Sequence, residues 1–308
     1  MTDRSEIVVP ASIGNVGPGF DALSVALQLY LRVRVQDVGT RTAEHDGVLE
    51  TVFAGTAPRG SNGVDRAFRF ARERMGRPTA RVRVEVATDI PICAGLGSSA
   101  AASVAGLQLY QAVTGPVSEG DMLAMAAELE GHPDNAAACL LGGFTVSCRL
   151  ENGTVVARSS RWPVRVQWVV ATPNVPLATK EARAVLPAAV PLGDAVFNLQ
   201  RALLLLHAVE HERLDDLREA FRDRLHQPAR AALVPGLREA LALDDPSILG
   251  VVLSGAGPSI AAAATPGRER EAAAILAGIY DRVGVPVVVR TLSAHQPAAA
   301  GVVPIPIG

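Results

Sequence analysis

Four short runs of this chain crowd together glycine, hydroxyl, amide and carboxylate side chains. The densest is Pro91-Ile92-Cys93-Ala94-Gly95-Leu96-Gly97-Ser98-Ser99-Ala100-Ala101. Its glycines let the backbone approach an anion closely. The free amides of a helix that starts at the serines can point at that anion, helped by the positive end of the helix dipole. This is the chemistry of a phosphate cradle. It is not a P-loop, because no lysine stands near it. Gly95-x-Gly97-x-x-Ala100 fits the spacing of a dinucleotide fingerprint, but that motif needs a second strand ending in an acid roughly 20 residues on. Here Ser103 to Ala112 continues as helix, Gly115-Pro116 turns, and Asp121 to Glu130 reads as another helix. A plain small-residue turn that packs a helix on a sheet remains an alternative for this run taken alone.

The other three runs are Gly14-Asn15-Val16-Gly17-Pro18-Gly19-Phe20-Asp21, Glu128-Leu129-Glu130-Gly131-His132-Pro133-Asp134-Asn135 and Ser254-Gly255-Ala256-Gly257-Pro258-Ser259. Singly, they read as a tight turn, a capped helix end and a hairpin turn. Together they meet the needs of phosphoryl transfer: a phosphate cradle, oxygen ligands for a divalent cation, and groups that align an acceptor hydroxyl. The serines and Glu128 can supply metal ligands, and Asn15, His132 and Asn135 can hold a hydroxyl.

The elements around these runs mix strands and helices without strict βαβ alternation, which predicts an α+β fold. Strands are expected at Ile7 to Pro10, within Leu23 to Val38, and at Arg81 to Ala87, Phe144 to Leu150, Val164 to Thr172, Leu249 to Leu253, Ile260 to Thr265 and Val285 to Thr291. Helices are expected at Asn62 to Met75, with Val64, Ala67, Phe68 and Ala71 on one face, across Asp194 to Arg224, and at Glu269 to Val283. The polar stretch Glu151 to Pro163 is the expected boundary between domains 1–155 and 164–308. Of the 308 residues, 49% are hydrophobic and 19% charged, so a large core is affordable; the net charge of −2 argues against nucleic acid as a partner. Nothing approaches the roughly 18 unbroken apolar residues of a membrane span, and Met1 to Val9 lacks a signal-peptide core. Cys93, Cys139 and Cys148 form no metal spacing and fit a reducing, cytoplasmic setting, with Cys93 expected to be buried or a spectator. His207-Ala208-Val209-Glu210-His211 matches an inverted zinc-protease pattern but lacks a third ligand, and it reads better as the edge of a packing helix.

The combination resembles the superfamily of galactokinase, homoserine kinase, mevalonate kinase and phosphomevalonate kinase (GHMP). Pro91 to Ala101 is similar to its ATP loop, P-x-x-x-G-L-G-S-S-A-A, and Ser254 to Ser259 to its third motif. Within the superfamily the likeness is greatest to the homoserine kinase family. Val9-Pro10-Ala11 through Asp21, Glu130-Gly131-His132-Pro133-Asp134-Asn135, Thr179-Lys180-Glu181-Ala182-Arg183 and His226-Gln227-Pro228-x-Arg230 all match its pattern, so the resemblance runs from residue 9 to residue 259. One departure is that the usual T-S-A-N-L-G-P-G-F reads here Ser12-Ile13-Gly14-Asn15-Val16-Gly17-Pro18-Gly19-Phe20, which bears on substrate preference but not on reaction class.

The resemblance implies an N-terminal domain with a left-handed βαβ unit and a ferredoxin-like C-terminal domain. It implies ATP held by Pro91 to Ala101 with Asn62, Gly255 and Gly257, and Mg2+ on Ser99 and Glu128. Homoserine would be contacted by Asn15, Asp21, His132, Asn135, Arg183 and Arg230, with Asn15, His132, Asp134 and Asn135 as the catalytic set. It also suggests a homodimer. The chemistry of a zwitterionic substrate agrees: Asp21 suits an ammonium, and Arg183 and Arg230 suit a carboxylate. Direct in-line attack of the hydroxyl on the γ-phosphate is expected, with Asp134 positional rather than a base. The rival expectations are a sibling kinase for another hydroxylated amino acid or an isoprenoid acid, and a non-catalytic relative; the retained serines and glycine turns argue against the latter.

Overall fold

The computed structural model describes residues 6–39, 49–55 and 62–297. The first sheet contains β1 (Glu6–Gly14), β2 (Leu23–Val38), β3 (Leu49–Phe53), β4 (Val82–Thr88), β5 (Phe144–Arg149) and β6 (Val155–Ser160). Its order is β3-β4-β2-β5-β6, with β1 paired along β2. The long β2 is the spine: β5 pairs with its start, β4 with its second half, and β1 with most of its length. β3 and β4 are parallel and are joined through α1 (Gly63–Met75), which makes a βαβ unit. Asn62 caps α1 by accepting from Val64 N at 3.0 Å, and the buried face is Val64, Ala67, Phe68 and Ala71, as the apolar spacing predicts. α2 (Ser98–Thr114), α3 (Glu119–Glu130) and α4 (Asp134–Leu141) complete this half. α2 is Ala-rich and buried over most of its circumference, since only small side chains fit between α1 on one side and β1 on the other.

The second half opens with β7 (Trp168–Pro173). A helical excursion follows through α5 (Thr179–Ala184), α6 (Leu192–Glu210), α7 (Leu217–Ala220), α8 (Gln227–Arg230) and α9 (Leu237–Leu241). Then come β8 (Ile248–Leu253), β9 (Ile260–Ala264), α10 (Glu269–Val283) and β10 (Val287–Leu292). The sheet order β10-β7-β9-β8, antiparallel throughout, is the ferredoxin-like arrangement that the resemblance implies. Strand alternation sorts its two faces into two cores. Trp168, Val170, Val252, Ala261 and Ala263 join the core of the first half, while Val169, Ala171, Val251, Leu253, Ile260 and Ala262 face the core beneath α10. β9 reads Ile-Ala-Ala-Ala-Ala because both of its faces are covered.

The two halves share one core rather than abutting. Ring centroids link Phe144 to Trp162 (6.1 Å), Trp162 to Trp168 (5.0 Å) and Trp168 to Phe221 (5.7 Å). The chain beyond β10 returns to β2, where Gln28 N donates to Ser293 O and His295 N to Ala26 O, both at 2.9 Å. Glu151 to Pro163 is not merely a linker: it carries β6, whose Val155 and Ala157 point at Leu123, Ala127 and Ala137. The outward Arg158, Ser159 and Ser160 hid that strand behind a polar reading. The strand expected from Val164 starts only at Trp168, and the largely helical stretch expected across Asp194 to Arg224 is α6, a 3-10 turn at Leu214–Asp216 and α7. No helix among the described residues is long and apolar enough to cross a membrane.

Phe221 touches both sheets through the Trp pair, so Phe221→Ala should cost about 3–5 kcal/mol. Urea unfolding followed by Trp fluorescence and by far-UV circular dichroism should show one coincident transition, shifted down; two separated transitions would contradict a shared core.

Candidate active site

A cavity of about 380 Å³ lies between the halves, with the four runs on its walls. The loop after β4 forms one end. Ala94 and Leu96 are buried and anchor it, with Ser259 N donating to Ala94 O (3.2 Å) and Ser12 N to Leu96 O (3.1 Å). The intervening Gly95 has φ +77°, and a Cβ there would stand 2.4 Å from Ser254 O. Only glycine lets this loop lie on the Ser254–Ser259 turn. Gly97, in the left-handed region, precedes α2, whose first turn has no side-chain cap and no acidic residue. Its amides are therefore available to an anion. Ile92, Cys93, Ala94, Gly95, Gly97, Ser98, Ser99 and Ala100 line the cavity, as do Asn62, Gly255 and Gly257. Pro91, Leu96 and Ala101 do not: Pro91 faces a neighbouring groove, and the other two are core residues. Cys93 is exposed, not buried, with φ +56°.

Beside this cradle sits a buried carboxylate. Glu130, the last residue of α3, accepts from Ser99 Oγ (3.0 Å) and Ser103 Oγ (2.7 Å), and the Arg66 guanidinium lies 3.6 Å from it. Glu128 is exposed and does not line the cavity. Residues two apart on a helix are about 200° apart around its axis, so only one of the two acids can face the cradle, and it is Glu130.

The opposite end is ionic. Asp134 is almost fully buried. Its Oδ1 is 2.5 Å from His132 Nδ1, and its Oδ2 accepts from Asn15 N (3.3 Å) and Asn135 Nδ2 (3.5 Å). Asn15 is committed too: Nδ2 donates to Gly255 O (2.8 Å) and Oδ1 accepts from Asp21 N (3.0 Å). Asp21 takes a two-pronged pair from Arg183 at 2.7 and 3.0 Å. Arg230 is only 1% exposed and donates to Ala182 O (3.0 Å) and Gly255 O (3.1 Å); among the described residues no carboxylate pairs with it directly. Its Nη1 also lies 3.2 Å from His226 Nδ1, while His226 Nε2 lies 2.8 Å from Gly17 O. Burial holds the His226 imidazole below its ordinary pKa despite Asp223, so the ring is neutral; it donates from Nε2 and accepts at Nδ1. Burial likewise lowers the Arg230 pKa. For His132, burial opposes the cation, but the hydrogen bond and charge of Asp134, with the charge of Asp21, outweigh it and raise the pKa. The ligand atoms of Asp21, His132 and Asp134 all lie within 4.8 Å of one another.

Known proteins are similar to this chain over most of its length. The model for the GHMP kinases N terminal domain matches residues 62–143, and that for GHMP kinases C terminal matches 205–281. The chain is 38% identical over 290 residues to a homoserine kinase of Moorella thermoacetica, covering 92% of this chain and 95% of that one. It is 40% identical over 270 residues to one of Thermus thermophilus, covering 87% and 89%. The chain belongs to the homoserine kinase family of GHMP kinases. The crystal structure of a homoserine kinase from Cytophaga hutchinsonii superposes with a TM-score of 0.80 at 26% identity over 96% of both chains.

Within this GHMP kinase fold, Asn15, Asp21, His132, Asp134, Asn135, Arg183 and Arg230, all singled out in the sequence, line one cavity. Sequence reasoning missed Glu130 and Arg66 at the cradle. It also missed Leu31, Phe53 and Val86, which form an apolar slot at the far end. Glu130 opens the motif that includes His132, which was the available signal; the slot residues sit on strands and read only as core. Among the described residues no third ligand joins His207 and His211, whose ring centroids lie 4.3 Å apart with planes tilted by 58° at the end of α6. Burial pushes the Cys139 thiol up to about 12, so it is inert.

The raised His132 pKa links the site to pH. A raised folded-state value contributes stability that is complete below about pH 6.5 and is lost as pH rises through the folded value. The stability difference between the native chain and His132→Asn, from urea unfolding between about pH 5.5 and 8.5, should shrink as pH rises. A difference that stays level or grows would contradict the His132–Asp134 pair.

Proposed function

We propose that this chain transfers the γ-phosphate of ATP to the side-chain hydroxyl of L-homoserine, giving O-phospho-L-homoserine for threonine synthesis. The observation that carries this reading is a single cavity with an open-amide glycine cradle at one end and a mixed-charge pocket at the other. The pocket suits a zwitterion. The Asp21 carboxylate at the cavity wall receives an ammonium, and the buried Arg230, which has no carboxylate partner among the described residues, receives a carboxylate. The Asp21–Arg183 pair then exchanges partners with the ligand's two charges. An isoprenoid acid has no ammonium and would leave Asp21 unexplained, which disfavours the sibling reading.

The hydroxyl needs a partner that is not already committed. Asn15 Oδ1 accepts from Asp21 N and Asn135 Oδ1 from Ser12 Oγ at 2.8 Å, while each amide nitrogen donates once and keeps a second N–H. His132 Nε2 and these remaining amide N–H groups are the ones best placed to hold it. Asp134 has both oxygens committed and is buried, which fits a positioning role and leaves nothing free to act as base. A loose phosphoryl-transfer transition state asks for little base help.

At the donor end, the apolar slot of Leu31, Phe53 and Val86 suits the base of ATP, and the α2 amides suit its phosphates. Ser99 and Glu130, rather than Glu128, supply the hard oxygen donors that fit Mg2+, which usually takes one or two carboxylates and completes its shell with water and phosphate. When bound, that ion neutralises charge on the phosphate oxygens. Arg66, which leans on Glu130 here, is the cation nearest the cradle and can turn to the triphosphate in place of the lysine that a P-loop would carry. The free cysteines fit a cytoplasmic reaction.

ADP release measured against homoserine, threonine, serine, mevalonate and galactose tests the assignment. Homoserine should turn over fastest; no turnover of millimolar homoserine beside clear turnover of another substrate would remove it. Arg183→Met deletes a charged hydrogen bond worth about 1.5–3 kcal/mol, so the homoserine KM should rise about 10- to 150-fold with the ATP KM unchanged. Glu130→Gln should do the reverse, weakening Mg-ATP and leaving homoserine binding, read by calorimetry, intact; an unchanged ATP KM would return the metal to Glu128.

A further inference from the structure

A second hollow, of about 560 Å³, lies behind the phosphate loop. Pro91 to Ala94 form one wall, residues 172–176 at the end of β7 a second, and β10 with Val288 and Arg290 a third. β10 is an edge strand of the second sheet. Val288 stands opposite Thr172 and Arg290 opposite Val170, on the sheet face that Val170 turns to the core of the first half. The walls are mostly proline and branched aliphatic side chains, and Arg290 is the only charged residue among them. Its Nη1 is buried and has no hydrogen-bond partner among the described residues. Leaving a buried guanidinium N–H unpaired is costly, and folded proteins keep few such groups without something to satisfy them.

We propose that this hollow binds an aliphatic monocarboxylate, with the carboxylate paired to Arg290 and the carbon chain along the proline and valine walls. Charge selects this class. One guanidinium matches one carboxylate, whereas a phosphate dianion would keep a second charge unmet. No acidic side chain lines the hollow, so the ammonium of an amino acid would find no partner there. The occupant therefore differs in kind from the zwitterion assigned to the reaction cavity.

The hollow and the reaction cavity share a wall. Ile92, Cys93 and Ala94 line both, and residues 172–176 run directly into Leu177, Ala178 and Thr179, which line the reaction cavity. Cys93 sits at φ +56°, a left-handed conformation that is unfavourable for a residue with a Cβ. An occupant packed against Ile92 and Cys93 from behind holds the loop in this shape, with the cradle amides open, and so tightens ATP. By linkage, ATP tightens the carboxylate by the same factor. The site itself does not depend on the reaction assigned to the cavity; its coupling rests on the reading that the cradle holds ATP.

Calorimetry on the full chain with octanoate tests it, beside the uncharged octanamide and the zwitterion 2-aminooctanoate. Octanoate should bind, and the other two should bind at least about 10-fold more weakly. Arg290→Met keeps the length of the side chain without its charge, and should raise the octanoate Kd about 10- to 150-fold, the value of a lost charged hydrogen bond. Val288→Glu, at an exposed position on the same strand face, gives the guanidinium a carboxylate from within and should have the same effect; circular dichroism checks that each variant is folded. No binding of octanoate to the native chain at about 10 mM would overturn the proposal. So would octanamide binding as tightly as octanoate, or octanoate binding undiminished in both variants. 2-Aminooctanoate binding as tightly would assign the hollow to an amino acid and equally overturn it. With octanoate saturating, the ATP Kd of the native chain should fall, and that of Arg290→Met should not move. An ATP Kd that octanoate leaves unchanged in the native chain would overturn the coupling. A chain that binds octanoate but no ATP would count against the reaction assigned above and not against this site.

Discussion

The turn from Ser254 to Ser259 holds the active site together. The carbonyl of Gly255 accepts from Asn15 Nδ2 at 2.8 Å and from Arg230 Nη1 at 3.1 Å, and its amide donates to Gly14 O at 3.0 Å. Ser254 Oγ donates to Gly95 O at 2.7 Å, and Ser259 N donates to Ala94 O. One turn from the second sheet therefore fixes the phosphate loop, the end of β1 and the buried arginine. The strands on either side of it, β8 and β9, are almost wholly buried, so the turn projects from a rigid base. Phosphoryl transfer depends mainly on how well donor and acceptor are aligned. Here the spacing between the two ends of the cavity is set by this one set of backbone contacts.

Burial of polar groups follows from that requirement. A carboxylate as deeply buried as Asp134 is costly unless its lone pairs are filled, and they are filled by His132, Asn15 N and Asn135. His132 and Asn135 flank Asp134 in its own run while Asn15 follows β1, so satisfying one charge ties the β1 turn to the α3–α4 junction. His226 plays a matching part on the other side. It is fully buried, stacks on Phe20 at 5.3 Å, and spans Gly17 O and Arg230 Nη1. It is kept neutral by burial, so it aims the Arg230 guanidinium without adding a competing cation.

The parts of this site that were legible in the sequence are those where backbone geometry restricts the residue type. Gly95 must be glycine for the loop to pass over the Ser254–Ser259 turn and Gly97 for it to pass Ser12 of β1, and the E-G-H-P-D-N run must end α3 and start α4 within a few residues. Glu128 and Glu130 could not be separated because choosing between them needs the rotation of α3 about its axis, which the packing of Met122, Met125 and Ala126 sets. Leu31, Phe53 and Val86 carried no signal, since an apolar residue on a strand reads the same whether it faces a core or a nucleotide. β6 was hidden because only Val155 and Ala157 of its residues are buried.

The departure at Ser12-Ile13-Gly14 shows how packing absorbs a change without moving the chemistry. Ile13 points away from the cavity into the core shared by Val25 and Phe144, so its extra bulk fills interior space. Ser12 stays polar and is buried, and its Oγ donates to Asn135 Oδ1 at 2.8 Å. Gly14 lies where a methyl group would stand 2.6–2.8 Å from the Asp134 and Asn135 side chains. Its missing Cβ lets those side chains close against β1. The altered residues therefore act on how tightly the acceptor end is framed. The groups proposed to meet the substrate's charges, Asp21, Arg183 and Arg230, hang on other contacts.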